Sequence, residues 1–572
     1  MDAKLSAAIT EAAARLEPRL DSYVAMHRRA RPTQLAVIEH DTGAHLTWAE
    51  LDRAVDAFAA KLLSVGLRRG DVVASTLPFT KEHLFLQYAC FRVGVIIAPL
   101  DLRLKAGEIL TAFEKIRPRA YFFLGKTPKV DFRPIMREVM EKAPWVERYV
   151  QFQQELDGVL PGAIHVKRFA ADVKRRYILS KLTGSVRRAS RAVGTRDPAL
   201  IIFTTGSTGA PKPALLCHEN ILLQNVALAE AFGFTAQDRM LVNLPPSHVG
   251  GQTEQLMTCV YGGGVTVLLH VFDAEKSLQA IEERKVTLLG QIPALFAMQW
   301  RLPNYGDYDL SSLRFAIYGG QAVDRPFLER LEAMARFPGT GLGLTETAGF
   351  CTYTTVGWKL EEIAAGVGFP APICPLTVRE PMREDGSAGA EKAPGETGEL
   401  CFSGPQVFLG YMNDEAATRK TISSDGYLYT GDLGFVDDQG LHFAGRSKFV
   451  IKPRGYQVFP GEVEGFIAQA FREDVALVGV VGVSHAVWSE GIVAFVEVRE
   501  GRSVDRAALD ARLKDIAAYK RPAHVVFVAE GELPLNRVAK LDYLALRQRA
   551  QREVDAQRAA GGWDAEPPVT AS

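Results

Sequence analysis

The sequence is poor in cysteine and has no surplus of either charge. Its six cysteines, Cys90, Cys217, Cys259, Cys351, Cys374 and Cys401, are scattered through 572 residues without a CxxC pair. That excludes a zinc ribbon or a disulfide-stapled fold and suits a reducing compartment. Lys+Arg and Asp+Glu are 67 each, so the formal net charge is zero, whereas a nucleic-acid binder would carry a basic excess. No apolar run reaches the roughly 18 residues that span a bilayer. The opening MDAKLSAAITEAAARLEPRL mixes acids and bases through an amphipathic helical pattern and lacks a signal-peptide core. These absences point to a cytoplasmic enzyme acting on small molecules, with no nucleic-acid partner and no transmembrane segment.

What is present is a globular composition, 47% hydrophobic and 23% charged, on a chain long enough for two or more domains. Residues 33–125 alternate short apolar runs with helical patterns. Thr47 and Glu50 form a capping-box pair opening a helix that runs to Gly66, and Gly70-Asp71 precede a strand at Val72-Val73-Ala74. Val95 to Leu100 reads as a buried strand, and the rhythm returns near 239–244, 265–269 and 286–290. Such alternation implies mostly parallel sheets covered by helices. Between 166 and 191, nine bases (Lys167, Arg168, Lys174, Arg175, Arg176, Lys181, Arg187, Arg188 and Arg191) face only Asp172. This stretch reads either as a solvated helical surface, the ordinary case, or as an electrostatic contact with an anionic membrane or carrier. From Val378 the pattern turns to short strands punctuated by Gly and Pro. After Gly445 a compact α+β segment extends to about 550, followed by a flexible tail.

The run Leu200-Ile201-Ile202-Phe203 leads into Thr204-Thr205-Gly206-Ser207-Thr208-Gly209-Ala210-Pro211-Lys212. A buried strand ending in glycines, hydroxyls and a lysine has the outline of a phosphate cradle: backbone N–H groups turn inward and Lys212 adds charge. It is not a Walker A loop, since GxxxxGK[ST] is absent. A turn of this composition is in most cases just a turn.

This loop resembles the phosphate loop of the adenylate-forming superfamily, which comprises acyl-CoA synthetases, peptide-synthetase adenylation domains and beetle luciferases. Further motifs follow in that family's order: Leu244-Pro245-Pro246-Ser247-His248, Gly343-Leu344-Thr345-Glu346, Tyr429-Thr430-Gly431-Asp432, Gly445-Arg446-Ser447-Lys448, and Pro534 to Lys540. Each is modest alone, but their ordered combination over residues 20–550 is specific. The resemblance implies a large N-terminal domain, 1–445, of mostly parallel α/β sheets with a small β-barrel subdomain at about 375–445. It further implies a small mobile α+β C-terminal domain, 446–550, hinged at Lys448, before the tail at 551–572. The implied activity is ATP-dependent ligation of a carboxylic acid to coenzyme A, through an acyl-adenylate and release of pyrophosphate. The alternatives are loading of a separate carrier protein and a catalytically inactive homologue.

By the same resemblance, Thr204 to Gly209 and Lys212 hold phosphates, Glu346 holds Mg2+, and Thr345 donates to the α-phosphate. Asp432 takes the ribose hydroxyls with support from Arg446, and Gly319 and Gly320 lie against adenine and acid near Tyr318. His248 gates the acid, Lys540 is the adenylation cation, and Gly455 lines the coenzyme A channel. The plain alternatives are a helix-start acid for Glu346, an Asx-turn for Asp432, a surface salt-bridge partner for Arg446, a packed histidine for His248, and solvated lysines for Lys448 and Lys540. Four positions depart from the family pattern. Leu342 replaces an aromatic residue that stacks on adenine, and Pro213 follows Lys212 in place of glycine and would stiffen the loop exit. Phe449 stands beside the hinge where an acid is common, and Ala539 replaces the glycine before the lysine.

Overall fold

The apolar runs assemble into two seven-stranded sheets. The computed structural model describes residues 1, 3–204, 211–321, 323, 325–446, 449–453, 458–486, 488–536 and 540–564. One sheet orders its strands Ala163–His165, Arg148–Phe152, Ala120–Leu124, Val72–Thr76, Ile96–Pro99, Pro198–Thr204 and Lys212–Cys217. The other runs Phe337–Thr340, Phe315–Tyr318, Leu288–Gln291, Arg239–Val242, Val265–Leu268, Leu35–Glu39 and His45–Thr47. Each is parallel except for its last pair. Val72–Thr76 is buried at every residue, as expected for a strand covered by helices on both faces.

Local signals behave as the sequence implies. Thr47 Oγ1 accepts from the Glu50 N–H (3.3 Å) while the Thr47 N–H donates to Glu50 Oε2 (2.9 Å), so the helix Trp48–Ser64 starts with a closed capping box. Its end passes through Gly66 at φ +95°. Buried Arg92 ties three helices together by bonding Asp21 (2.9 Å), Asp52 (2.8 Å) and Asp56 (2.7 Å). A charge buried without such partners would cost several kcal/mol.

The region expected to form a β-barrel carries a four-stranded antiparallel sheet, Leu376–Arg379, Gly398–Phe402, Leu428–Asp437 and Gly440–Arg446. Among the described residues its order is linear and the end strands do not pair, so this is an open sheet and not a barrel.

The C-terminal lobe is built on Val475–His485, Ser489–Val498 and His524–Ala529. Strand alternation divides its core in two. Val480, Ile492, Ala494 and Val496 pack with Val463 and Ile467 of the helix Pro460–Ala470. Val481, Val483, Val493 and Phe495 pack with Leu546, Ala550 and Val554 of the helix Tyr543–Ala559. The segment expected as a tail from 551 therefore continues a core helix. Trp563 is buried as well, its indole N–H donating to Ser484 O (2.9 Å); only 565–572 of that segment lie outside the described residues.

Among the described residues no helix is long and apolar enough to cross a membrane. All six cysteines are free and buried.

Candidate functional site

Parallel sheets leave a crevice at the carboxyl ends of their strands. Here that crevice is a cavity of about 1380 Å3, walled by residues just past several strand ends: Leu100, Thr204, Asn243, Gln291, Gly319 and Gly341. The C-terminal lobe closes over it. Thr204, Lys212, His248, Gly319, Gly320, Thr345, Glu346, Asp432, Arg446 and Lys540, drawn from seven separate stretches of sequence, all line this one space. Thr205, Gly206, Ser207, Thr208, Gly209, Lys448, Gly455 and Ala539 lie outside the described residues.

The two ends of the glycine-rich loop are pinned, because Thr204 pairs with Lys212 across an antiparallel ladder. Pro213 was expected to stiffen a loop exit but lies within the strand, opposite Phe203. Its carbonyl accepts from the Met412 N–H (2.8 Å), and Leu215 exchanges bonds with Leu409 and Gly410 on the same side. In an antiparallel ladder a residue's N–H and C=O point the same way, so proline removes one outer donor and leaves the pairing with Phe203 intact. This outer strand also brings Tyr411 beneath the cavity, with Lys212 Nζ 5.0 Å from its ring centroid.

Glu346 sits in a single 3-10 turn, Thr345–Thr347, between the short paired strands Gly343–Leu344 and Gly349–Phe350. It is not the helix-start acid of the plain alternative. The Tyr411 hydroxyl donates to Glu346 Oε1 (2.6 Å), and the Phe408 N–H donates to Glu346 O (2.9 Å). Burial and the adjacent carboxylate push the Tyr411 phenol well above its ordinary pKa, so it stays a donor. Tyr411 is 65 residues from Glu346, and no local motif marks it.

Asp432 lies in the strand Leu428–Asp437 and not in a turn. Its cross-strand partner is Arg446, whose Nε stands 2.7 Å from Asp432 Oδ1. The guanidinium is half-exposed toward the cavity while the carboxylate is buried. Nearby Glu399 accepts from the Gly431 N–H (3.0 Å), and burial raises its pKa.

Gly319 and Gly320 follow the strand Phe315–Tyr318. Gly320 has φ +95°, and a Cβ there would lie 3.0 Å from both Cε and Nζ of Lys540. The lysine of the C-terminal lobe thus reaches across the cavity and rests against this glycine. Its backbone is held by Asn536, whose side chain accepts from the Lys540 N–H (3.1 Å) and whose N–H donates to Lys540 O (2.7 Å). Burial and neighbouring Arg446 lower the ammonium's pKa, opposed by Asp432 and Glu254.

The same cavity also has apolar lining, with Leu228, Phe234, Met240, Leu288, Ile317 and Tyr318. His248 lines it too. Burial, reinforced by Lys540, pushes its pKa down to about 4, so the imidazole is neutral at physiological pH. Glu254, on the π-helical run Gly250–Met257, faces the same space, and burial raises its carboxyl to about 7. Within the wall, Asn243 Nδ2 donates to Gln291 Oε1 (2.7 Å), Gln255 Nε2 to Gly290 O (2.6 Å), and Gln291 Nε2 to Gln299 Oε1 (2.9 Å). These bonds lock the strand ends in place. Phe449 stacks on Tyr543 at 4.7 Å, so the expected acidic position carries an aromatic contact within the lobe. Leu342 lines the cavity and offers no ring.

Chemically, the cavity combines five Lys or Arg side chains and six carboxylates with a set of apolar side chains, and one of its ammonium groups, Lys540, comes from the C-terminal lobe. That arrangement suits a polyanion meeting an acid with an apolar body.

A model of the AMP-binding enzyme family matches residues 24–412, and one of the AMP-binding enzyme C-terminal domain matches residues 462–540. An indoleacetate–CoA ligase from Aromatoleum aromaticum is 30% identical over 544 residues, covering 93% of this chain and 98% of the relative. A mitochondrial medium-chain acyl-CoA ligase from Bos taurus is 27% identical over 552 residues, covering 92% and 86%. In fold, the chain is similar to an anthranilate CoA ligase in complex with anthranoyl-AMP (TM-score 0.78, 21% identity, 95% and 99% covered). It is also similar to the o-succinylbenzoate CoA synthetase of Bacillus subtilis in complex with ATP and magnesium (TM-score 0.72, 24% identity, 94% and 99% covered).

Proposed function

The chain belongs to the AMP-binding enzyme family, and from that premise we propose an ATP-dependent carboxylic acid:CoA ligase in which Lys540 drives the first half-reaction. The enzyme forms an acyl-adenylate with release of pyrophosphate, then transfers the acyl group to the thiol of coenzyme A. The carrying observation is the approach of Lys540 to Gly320 within a cavity that both polar and apolar side chains line.

In this reading the acid's carboxylate lies beside Lys540 and attacks the α-phosphorus of ATP in line. Two anions must approach, and charge builds on the phosphate oxygens, so a positioned ammonium supplies most where both meet. Lys540 takes that place. Thr204, Thr345 and Lys212 bind phosphate oxygens, together with the loop residues Thr205 to Gly209. Asp432 accepts from the ribose hydroxyls, with Arg446 orienting its carboxylate. His248, neutral, hydrogen-bonds the acid without adding charge.

Mg2+ is held by one or two carboxylates plus phosphate oxygens, not by an all-protein cage. The residues fit: Glu346 turns one carboxylate to the cavity, and no cluster of three His, Cys, Asp or Glu occurs among the described residues. When bound, Mg2+ neutralises phosphate charge, and Tyr411 would keep Glu346 aimed at it.

For the second half-reaction the C-terminal lobe rotates about Lys448. That withdraws Lys540 and opens a path for the pantetheine arm past Gly455, where a missing Cβ permits close approach. The N-terminal domain is 1–445, and the mobile domain begins at 446. The apolar wall favours an acid with an apolar body: aryl, alicyclic or fatty. The enzyme acts in the cytoplasm, where its six buried thiols stay reduced. Screening such acids for ATP-dependent pyrophosphate release, with mass detection of acyl-CoA, tests the reading. Acid-dependent release followed by acyl-CoA supports it; release without any acyl-CoA would point to a carrier protein as acceptor.

A further inference from the structure

The basic stretch 166–191 folds as three helices, Val166–Ala170, Val173–Thr183 and Ser185–Arg191, and none of its residues lines the cavity. Its inward side is satisfied. Asp172 binds Lys61 (2.6 Å) and Arg176 (2.8 Å), Lys181 pairs with Asp56, and Ser180 and Val186 are buried. The outward side differs. Lys174, Arg175, Ile178 and Leu182 recur at one-face helical spacing, with Leu179 beside them, and all five are exposed. Ile178 is 52% exposed, Leu179 48% and Leu182 81%. Lys174 on the same helix and Arg187, Arg188 and Arg191 on the next are also exposed and make no ion pair among the described residues.

We propose that this face docks on an anionic lipid bilayer, the aliphatic side chains entering the headgroup boundary while the cations meet lipid phosphates. Three exposed aliphatics and four exposed, unpaired bases on two consecutive helices match the charge and polarity of that boundary. A nucleic acid would satisfy the cations but offer nothing to the leucines. A soluble acidic protein would need an apolar recess to take them. A bilayer accepts both without shape complementarity. The surface is independent of the ligase reading, since it shares no residue with that site.

The test is co-sedimentation of the full chain with vesicles of phosphatidylcholine alone, and with about one third phosphatidylglycerol, at low and physiological salt. The expected result is retention on the anionic vesicles that weakens with salt. Each neutralised base near the surface should weaken partitioning about five-fold, so K174Q/R187Q/R188Q should lose about 100-fold. I178S/L179S/L182S should lose about ten-fold, because the apolar contribution goes. Both variants should keep the parent melting temperature and its pyrophosphate release with a water-soluble acid. Failure of the parent chain to bind anionic vesicles at low salt would overturn the proposal. So would vesicle binding unchanged in both variants, or equally tight binding to a DNA duplex that ignores the serine substitutions.

Discussion

The two sides of the cavity are held very differently. On the large-domain side, Thr204 and Lys212 are fixed by a strand ladder, Glu346 by Tyr411, and the strand ends by buried amides. Across from them, the Lys540 backbone is bonded to Asn536, and Arg301–Glu530 (3.2 Å), partly exposed, is an ion pair that reaches between the lobes. Exposed pairs contribute about 0–1 kcal/mol. One side is organised before any ligand arrives. In the proposed cycle the other side leaves once its charge is no longer needed.

Each substitution below should strike one side of this contrast. The largest effect belongs to Lys540→Ala, which should lower acid-dependent pyrophosphate release by about 100- to 1000-fold, as loss of a positioned charge-stabilising donor does. Gly320→Ala adds a Cβ where Lys540 rests and at a φ of +95°. Displacing a reacting group by about 1 Å can cost about 100-fold, so adenylation should fall by that order while the fold persists. Tyr411→Phe removes the bond to Glu346; the magnesium concentration for half-maximal rate should rise about ten-fold, the scale of one hydrogen bond to a charged group. Glu254, with its carboxyl at about 7, is neutral below that pH and anionic above it. Because the anionic form repels the incoming carboxylate, KM for the acid should rise several-fold from pH 6 to pH 8, and Glu254→Gln should flatten that rise. Arg301→Ala should have the smallest effect, under about five-fold on either half-reaction.

The strands were legible because parallel, doubly covered sheets demand continuous apolar runs such as Leu200 to Phe203. The capping box at Thr47 was legible because it is local. The site was legible only where residues fall in short ordered motifs, which is why Glu346, Asp432 and Lys540 could be named before their meeting was seen. Tyr411 and Glu254 could not be named. Their positions follow from an outer strand and a π-helical run whose partners are distant in sequence. An Asx-turn was the plain alternative for Asp432, yet pairing with Arg446 places it in a ladder. The helix beyond 551 was missed because its polar surface outweighs its few core residues, Leu546, Ala550 and Val554.

The measurement that bears most directly on the role of Lys540 separates the two half-reactions. Lys540→Ala is given either acid and ATP or the preformed acyl-adenylate and coenzyme A. The account predicts collapse of the first and near-parental rates in the second, because the lobe carries the lysine away before thioester formation. Equal loss in both halves would contradict it.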